Sequence, residues 1–503
     1  MRNPRILSFY FLFFILNLNL ITQIKPVFSF EPDIIANSSN PDSWERLINP
    51  AHNIFYPNIK VLNESIYFAG QMERNYDYAI YIARFNESGE KLWENIWDTS
   101  YEDELQGFEF DSEQNLYILS LANTNSPGDR LEKIYLLKYS NSGELLWAKV
   151  IIQSRTCVGY SIKLDSNDFI YVAGYVWNQT TFYNFLLKLD SSGNVLWNQQ
   201  LEWADLQLKI DLDNNIYIIG HKYPKFYLCK YNSSGSKPEW SLELGEIYYI
   251  YSMDFDSWGN IILKGITYNE TTRSDKLWFM KYNNSGSYIN KLEVLNISSD
   301  YYYVCRYWFI DDNVYVFINY PLSPDYFLLK YNSTFHICWN VSLNEYYITP
   351  YYYYMNIATT IGIDSQDNIL FLYNNPRGKD TNQDDMKKYD SEDISILKLN
   401  SSGQVLSHYY WGGSYHDDPI QVVMDPQDNI YLLCTCRYVD IWNVPRDRLV
   451  LVKNPEINGI PPQFWFTDIN SYYIFSLMSV MSVISLFLLI SIIRPKRSYR
   501  KGN

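Results

Sequence analysis

Asp165-Ser166-Asn167-Asp168-Phe169-Ile170-Tyr171-Val172-Ala173-Gly174 opens a phrase that this chain repeats. The phrase runs on through Leu186, Leu187 and Lys188 to Asp190-Ser191-Ser192-Gly193 and ends at Trp197. Other copies keep the order: Asp-x-x-x-Asn-apolar-Tyr-apolar, then apolar-apolar-Lys, then Ser-Gly, then usually Trp. A unit of this size cannot bury a hydrophobic face alone, so the units must stack.

Each unit reads as four strands. The first ends at the Asp, as in Ile162 to Asp165 and Met253 to Asp256. The second begins after the Asn, as in Ile170 to Ala173 and Ile261 to Leu263. Short β-rich runs bounded by Asp, Asn and Gly turns are hairpin strands. The third strand carries a basic residue: Arg84, Lys138, Lys188, Lys230, Lys281, Lys330, Lys398 or Lys453. The fourth carries Trp93, Trp147, Trp197, Trp240 or Trp339. Successive basic residues lie 42 to 68 positions apart, the length of a four-stranded propeller blade. The longest gap holds a polar insertion over residues 377–393, read as an exposed loop.

Eight units are counted, and the last has only three strands before Asn458-Gly459. A stray fourth strand, Ser43 to Ile48 with Trp44, precedes the first full unit. Placing it in the last blade closes the ring and removes the exposed edges of an open array. The expected fold is all-β, an eight-bladed β-propeller of four-stranded antiparallel blades plus one C-terminal transmembrane helix. Seven blades is the alternative, if the unit around Asp311 or the first one is not a blade.

The pattern resembles the SBBP propeller repeat of archaeal and bacterial surface proteins, whose consensus is similar to Asp-x-x-Gly-Asn-apolar-Tyr-apolar-x-Gly. Asp256, Ser257, Trp258, Gly259, Asn260, Ile261 and Gly265 match it, as do Asp165 to Gly174 and Asp211 to Gly220. The resemblance covers most of residues 57–455. It implies the propeller and a cell-surface setting, and it implies no activity, because propellers host unrelated functions.

The ends of the chain point to a membrane. Residues 1–29 read as a signal peptide: Arg2 and Arg5, an apolar run from Ile6 to Ile21, then Val27 and Ser29 before a cleavage point. Tyr472 to Ile493 carries no charge. At about 1.5 Å per helical residue it covers roughly 33 Å, enough for a hydrocarbon core of about 30 Å. Arg494, Lys496, Arg497, Arg500 and Lys501 follow it and mark the cytoplasmic side. The expected division is signal 1–29, ectodomain 30–456, linker 457–471, span 472–493 and basic tail 494–503. The protein is thus expected in the cell membrane, single-pass, with its body extracellular and its C-terminus inside.

Net charge is −15 over 503 residues, although both ends are basic. So acidic a body argues against nucleic acid as a partner, because that needs phosphate neutralisation. Aromatic residues make up 18 %, with 48 tyrosines. Asn86, Asn232, Asn283, Asn332 and Asn400 begin Asn-x-Ser/Thr sequons on one turn of successive units and are candidate glycosylation sites.

Chemistry-bearing residues are sparse. Asp211, Asp213, Asn214 and Asn215 offer oxygens to calcium, as do Asp364, Asp367 and Asn368. The competing reading is a turn in which the Asp accepts backbone N–H groups, and repetition in nearly every unit favours it. No other cofactor is indicated. The six cysteines include no Cys-x-x-Cys pair; Cys229 and Cys434 fall at apolar strand positions, while Cys434 and Cys436 share one strand face. His408, Trp411 and His416 bracket the least repeat-like stretch. Together with Tyr351, Tyr352 and Tyr353 they form the candidate binding face, which stacking of sugars or aromatic side chains would use. Inner strands carry Glu109, Lys163, Lys209, Asp254 and Arg306. The leading functional reading is a binding, adhesion or envelope-interaction module with a protein or glycan ligand. The alternative is an extracellular propeller enzyme (a hydrolase, lyase or quinone-dependent dehydrogenase) with a site at the channel mouth.

Overall fold

Eight four-stranded antiparallel sheets follow one another along the chain, each a meander. They lie at residues 54–97, 102–154, 156–201, 204–243, 249–298, 305–342, 359–411 and 417–453, and are called blades 1 to 8 here. The computed structural model describes residues 43–455 apart from 49–52, 75–76, 100, 124–130, 179, 202–203, 223–224, 236, 246, 248, 270–273, 299–304, 320–325, 345, 347–358, 377–391, 413–416 and 440–444. Among the described residues no helix is long and apolar enough to cross a membrane. The expected signal and span lie outside them.

Blade 8 takes its outermost strand from the front of the chain. Trp44–Ile48 pairs antiparallel with Pro445–Lys453, Trp44 opposite Lys453 and Ile48 opposite Leu449. The ring therefore closes by the strand the sequence set aside for it. Eight blades, not seven, are present.

The core is not central. Eight apolar clusters each combine residues of two neighbouring blades, and together they fill all eight gaps. One contains Trp44, Ile59, Phe68, Tyr431 and Leu451 and thereby joins blade 8 to blade 1. Each sheet hence buries both faces, which is why second strands such as Leu116–Asn123 are almost wholly buried rather than alternating. Fourth strands alternate exposed and half-buried residues, as in Val195–Leu201. At most junctions the first strands of neighbouring blades touch one another, so first strands line the central channel.

Strand direction separates the two rims. The hairpins joining first to second and third to fourth strands all fall at one end, the turn rim. The remaining connections, unequal in length, fall at the other, the loop rim. Blades 1 and 6 shorten the first hairpin to two residues, Asn63-Glu64 and Asp311-Asp312, all four with positive φ. Such turns match the twist of paired strands. The insertion at 377–393 lies outside the described residues except at its end. There Asp393 departs from the exposed-loop reading: it pairs with Asn375 inside blade 7 and is fully buried.

Candidate functional site

The repeated residues meet across each blade. Tyr171, Lys188 and Trp197 stand opposite one another on three adjacent strands. The Lys188 ammonium lies 5.0 Å from the Tyr171 ring, and the Tyr171 and Trp197 rings are 6.1 Å apart. Lys138 and Tyr117, Lys330 and Tyr315, and Lys453 and Tyr431 repeat the arrangement. At the turn, Asp165 Oδ1 accepts the backbone N–H groups of Asn167 and Phe169, and Oδ2 accepts the Tyr171 hydroxyl at 3.0 Å.

These side chains also clasp the next blade. Trp93 Nε1 donates to the Asn141 carbonyl at 3.0 Å, and Trp339 Nε1 to that of Ser401 at 3.0 Å. Lys188 and Lys281 donate to the carbonyls of Ser233 and Ser333. A second latch was not read from the sequence. Ser112 donates its N–H and hydroxyl to Asp168 of the next blade, and Ser257 and Ser365 do the same to Asp312 and Asp428. The signal was present as Ser after the turn Asp and a short acid or amide in the following unit's turn.

The calcium candidates sit in this scaffold. Asp211 Oδ1 accepts N–H groups from Asp213 and Asn215, and Oδ2 accepts the Asn215 amide. Asp364 receives the same three donors and Lys398 at 2.9 Å. Against the burial that raises it, Lys398 and Asn368 hold Asp364 below the ordinary carboxylate range. Among the described residues no group of three or more His, Cys, Asp or Glu side chains is arranged to hold a metal ion.

The sequon turns share one geometry. Asn283 Oδ1 accepts the N–H and hydroxyl of Ser285 and the N–H of Ser287, and Asn332 and Asn400 repeat this with Thr334 and Ser402. Asn232 does so with Ser234, and Asn86 accepts the Ser88 hydroxyl. Asp190 fills the position in blade 3 and accepts the matching N–H groups. The Asn is thus required by its oxygen, a local Asx turn.

Charged inner-strand residues, read as scattered, form an arc. Glu109 bridges Lys60 at 2.8 Å and Lys163 in the blades on either side. Lys209 pairs with Asp254 at 2.9 Å. Lys60 escaped the sequence reading because its shortened hairpin lacks the Asp marker. Beside Asp254, Lys264 reaches from the second strand of blade 5 to lie 4.5 Å over the Tyr307 ring of blade 6. Its ammonium has no hydrogen-bond or ion-pair partner among the described residues. Burial lowers the basicity of Lys60 and Lys264, and nearby positive charge lowers it further. Tyr251 stacks near Tyr307 at 5.8 Å and Tyr249 near Tyr251 at 5.2 Å. These two rings are 41 % and 44 % exposed. Arg306 is exposed and lies apart from the arc's ion pairs.

Of the candidate face, two members are described. His408 is half-buried between Tyr346 and Tyr410, and burial lowers its basicity. Trp411 is buried, its Nε1 donating to Glu45 of the closing strand at 3.1 Å. Tyr351, Tyr352, Tyr353 and His416 lie outside the described residues. Cys434 and Cys436 are both buried, with Sγ atoms in hydrogen-bond contact at 3.8 Å and no disulfide between them.

What these observations define is a closed eight-bladed propeller whose repeat is spent on joining blades. No family model matches the chain. No curated protein matches it either. Among solved structures it is similar to Sqt1 from Chaetomium thermophilum, at 8 % identity over 84 % of this chain and 99 % of that one, with a TM-score of 0.46. It is similar to the β-propeller domain of the trilobed protease from Pyrococcus furiosus, described as having an open velcro topology, at 10 % identity, 71 % and 98 % coverage and a TM-score of 0.38. The acylaminoacyl peptidase of Pyrococcus horikoshii gives 9 % identity and a TM-score of 0.39; 77 % of this chain spans 58 % of that one. Likeness at this level carries no activity across.

Proposed function

We propose that this chain is a membrane-anchored extracellular binding module. Residues 1–29 direct export, 472–493 hold the protein in the bilayer and the propeller recognises a protein or glycan at the cell surface. The run of apolar residues, the flanking basic tail and the sequons confined to the body support that topology. The motif likeness to SBBP surface repeats supports the setting.

One observation carries the binding role. The repeat-defining Asp, Lys, Trp and Tyr side chains are engaged in turns and clasps, whereas the Tyr249 and Tyr251 rings keep a large exposed fraction on the channel wall. Open aromatic rings beside polar groups are recognition surfaces. Lys453, the last strand residue, lies at the turn rim. The test is a glycan and protein array probed with the full-length chain in nanodiscs. A saturable ligand is expected. Failure to retain any ligand on either array rejects the reading.

A further inference from the structure

The wall formed by Lys264, Tyr307, Tyr251, Tyr249, Asp254 and Lys209 is built for one kind of ligand. We propose that it binds an acidic saccharide, a sugar bearing a carboxylate or sulfate. This rests on the binding-module reading and names the ligand class.

The charge balance points that way. Four lysines (Lys60, Lys163, Lys209 and Lys264) share two carboxylates, Glu109 and Asp254. Glu109 is taken by Lys60 and Lys163, and Asp254 by Lys209. Lys264 is left with a ring face. A cation over an aromatic ring recovers less than removing an ammonium from water costs. An anion arriving at Lys264 supplies the missing partner. The chain as a whole carries −15, so a local excess of positive charge is where an anion would gather.

The aromatic geometry adds the sugar. Tyr249, Tyr251 and Tyr307 form a continuous path, each centroid within 6 Å of the next. It runs from the loop rim, where the strand Tyr249–Phe255 begins, to the Lys264 ammonium. A register shift between Ile250 and Ser252 turns Tyr251 toward blade 6. Phe279 backs Tyr307 edge-on at 5.9 Å and fixes its plane. The C–H faces of a sugar ring pack on such a path, its acid group reaches Lys264, and its hydroxyl groups donate to Asp254. A plain anion needs no tyrosines, and a neutral sugar needs no unpaired lysine.

The test uses the full-length chain in nanodiscs and calorimetric titration with tetragalacturonate, a sulfated tetrasaccharide, maltotetraose and inorganic sulfate. At least one acidic tetrasaccharide is expected to bind at least tenfold more tightly than maltotetraose and sulfate, and more weakly as salt rises. Lys264→Met is expected to weaken it tenfold or more. Tyr251→Ser is expected to weaken it severalfold, with unchanged melting temperature as the check on folding. Lys149→Met, on an outer strand, is the control. Equal binding of maltotetraose, equal binding of sulfate, or indifference to Lys264→Met overturns the proposal. An array ligand that ignores Lys264 sinks this inference and leaves the binding-module reading standing, as does an acidic peptide that binds here in place of either saccharide.

Discussion

Trp44 lies opposite Lys453 across the strand pair that closes the ring, and its indole Nε1 donates at 2.8 Å to the Glu87 carbonyl of blade 1. One side chain thus completes blade 8 and clasps blade 1. Its ring also packs against the Gly89 turn, where φ is +75°. The closure repeats the interblade clasp found elsewhere, with the order in sequence broken and the order in space kept.

Trp44→Ala removes a buried indole, a change that costs about 3–5 kcal/mol in a packed core. The loss falls where the closing strand joins blade 8 to blade 1. The expected result is a free energy of unfolding lowered by that amount, with faster amide exchange in Pro445–Lys453 than in Leu116–Asn123. Equal protection of the two strands would mean that closure does not depend on Trp44.

Glycines at two kinds of turn separate strain from packing. Gly143 has φ +85°, and a Cβ there would meet the Trp93 indole at 2.6 Å. Gly259 has φ +75° and nothing within 4 Å of its Cβ position. Left-handed backbone costs a non-glycine residue about 1–2 kcal/mol. Gly259→Ala should lose about that much. Gly143→Ala should lose more, because the ring must also move out of its clasp. Chemical denaturation of both variants reads the difference, and equal losses would show that Trp93 yields freely.

The blade count and the ring closure were legible because both are written in repeated residues. The Asp turn, the strand Lys and the Trp recur at positions set by hydrogen bonding and stacking, so periodicity exposes them. The arc was not legible. Lys60, Glu109, Lys163, Lys209 and Asp254 occupy equivalent places in five blades but differ in sign from blade to blade without a regular order, so they form no motif. Lys264 and Tyr307 belong to different strands of different blades and meet only through the ring geometry. Asp393 was misplaced for a related reason: it continues a polar insertion in sequence while its strand partner is Asn375.

The sequon turns allow modification to be separated from folding. Asn283 serves its turn through Oδ1, and Asp190 serves the equivalent turn in blade 3 with a carboxylate. Asn283→Asp should therefore keep the turn and abolish the acceptor amide. Expressed in a glycosylating host, the variant is expected to lose one glycan by mass spectrometry with its melting temperature held. Asn283→Ala should lose the same glycan and also stability, because it removes the acceptor of the Ser285 N–H, the Ser285 hydroxyl and the Ser287 N–H, each worth about 0.5–1.5 kcal/mol at most on this exposed turn. An unchanged mass for Asn283→Asp would show that this sequon is not occupied.

Asp103 gives the protein a pH dependence opposite to that of its turn carboxylates. It is fully buried at the start of the first strand of blade 2, and Thr99 donates to it through N–H and hydroxyl. Burial pushes its pKa up to about 7, the Thr99 bonds oppose this, and Asp98 and Asp77 add to it. In the unfolded chain the group titrates at about 3.9. Between those values the folded state holds a proton that the unfolded state has released, so folding is favoured by acid there. Its contribution is greatest below pH 4 and is lost as pH rises to 7. Asp103→Asn keeps an acceptor oxygen for Thr99 and cannot ionise. Wild type should therefore lose stability relative to Asp103→Asn between pH 4.5 and 7, by a few kcal/mol, with the difference flat above pH 8. Asp256 runs the other way: Lys281 and Asn260, against burial, hold it low, and its support is lost only in acid. Denaturant midpoints for both proteins across that range decide the matter, and parallel curves would mean that Asp103 ionises in the folded protein as it does in water.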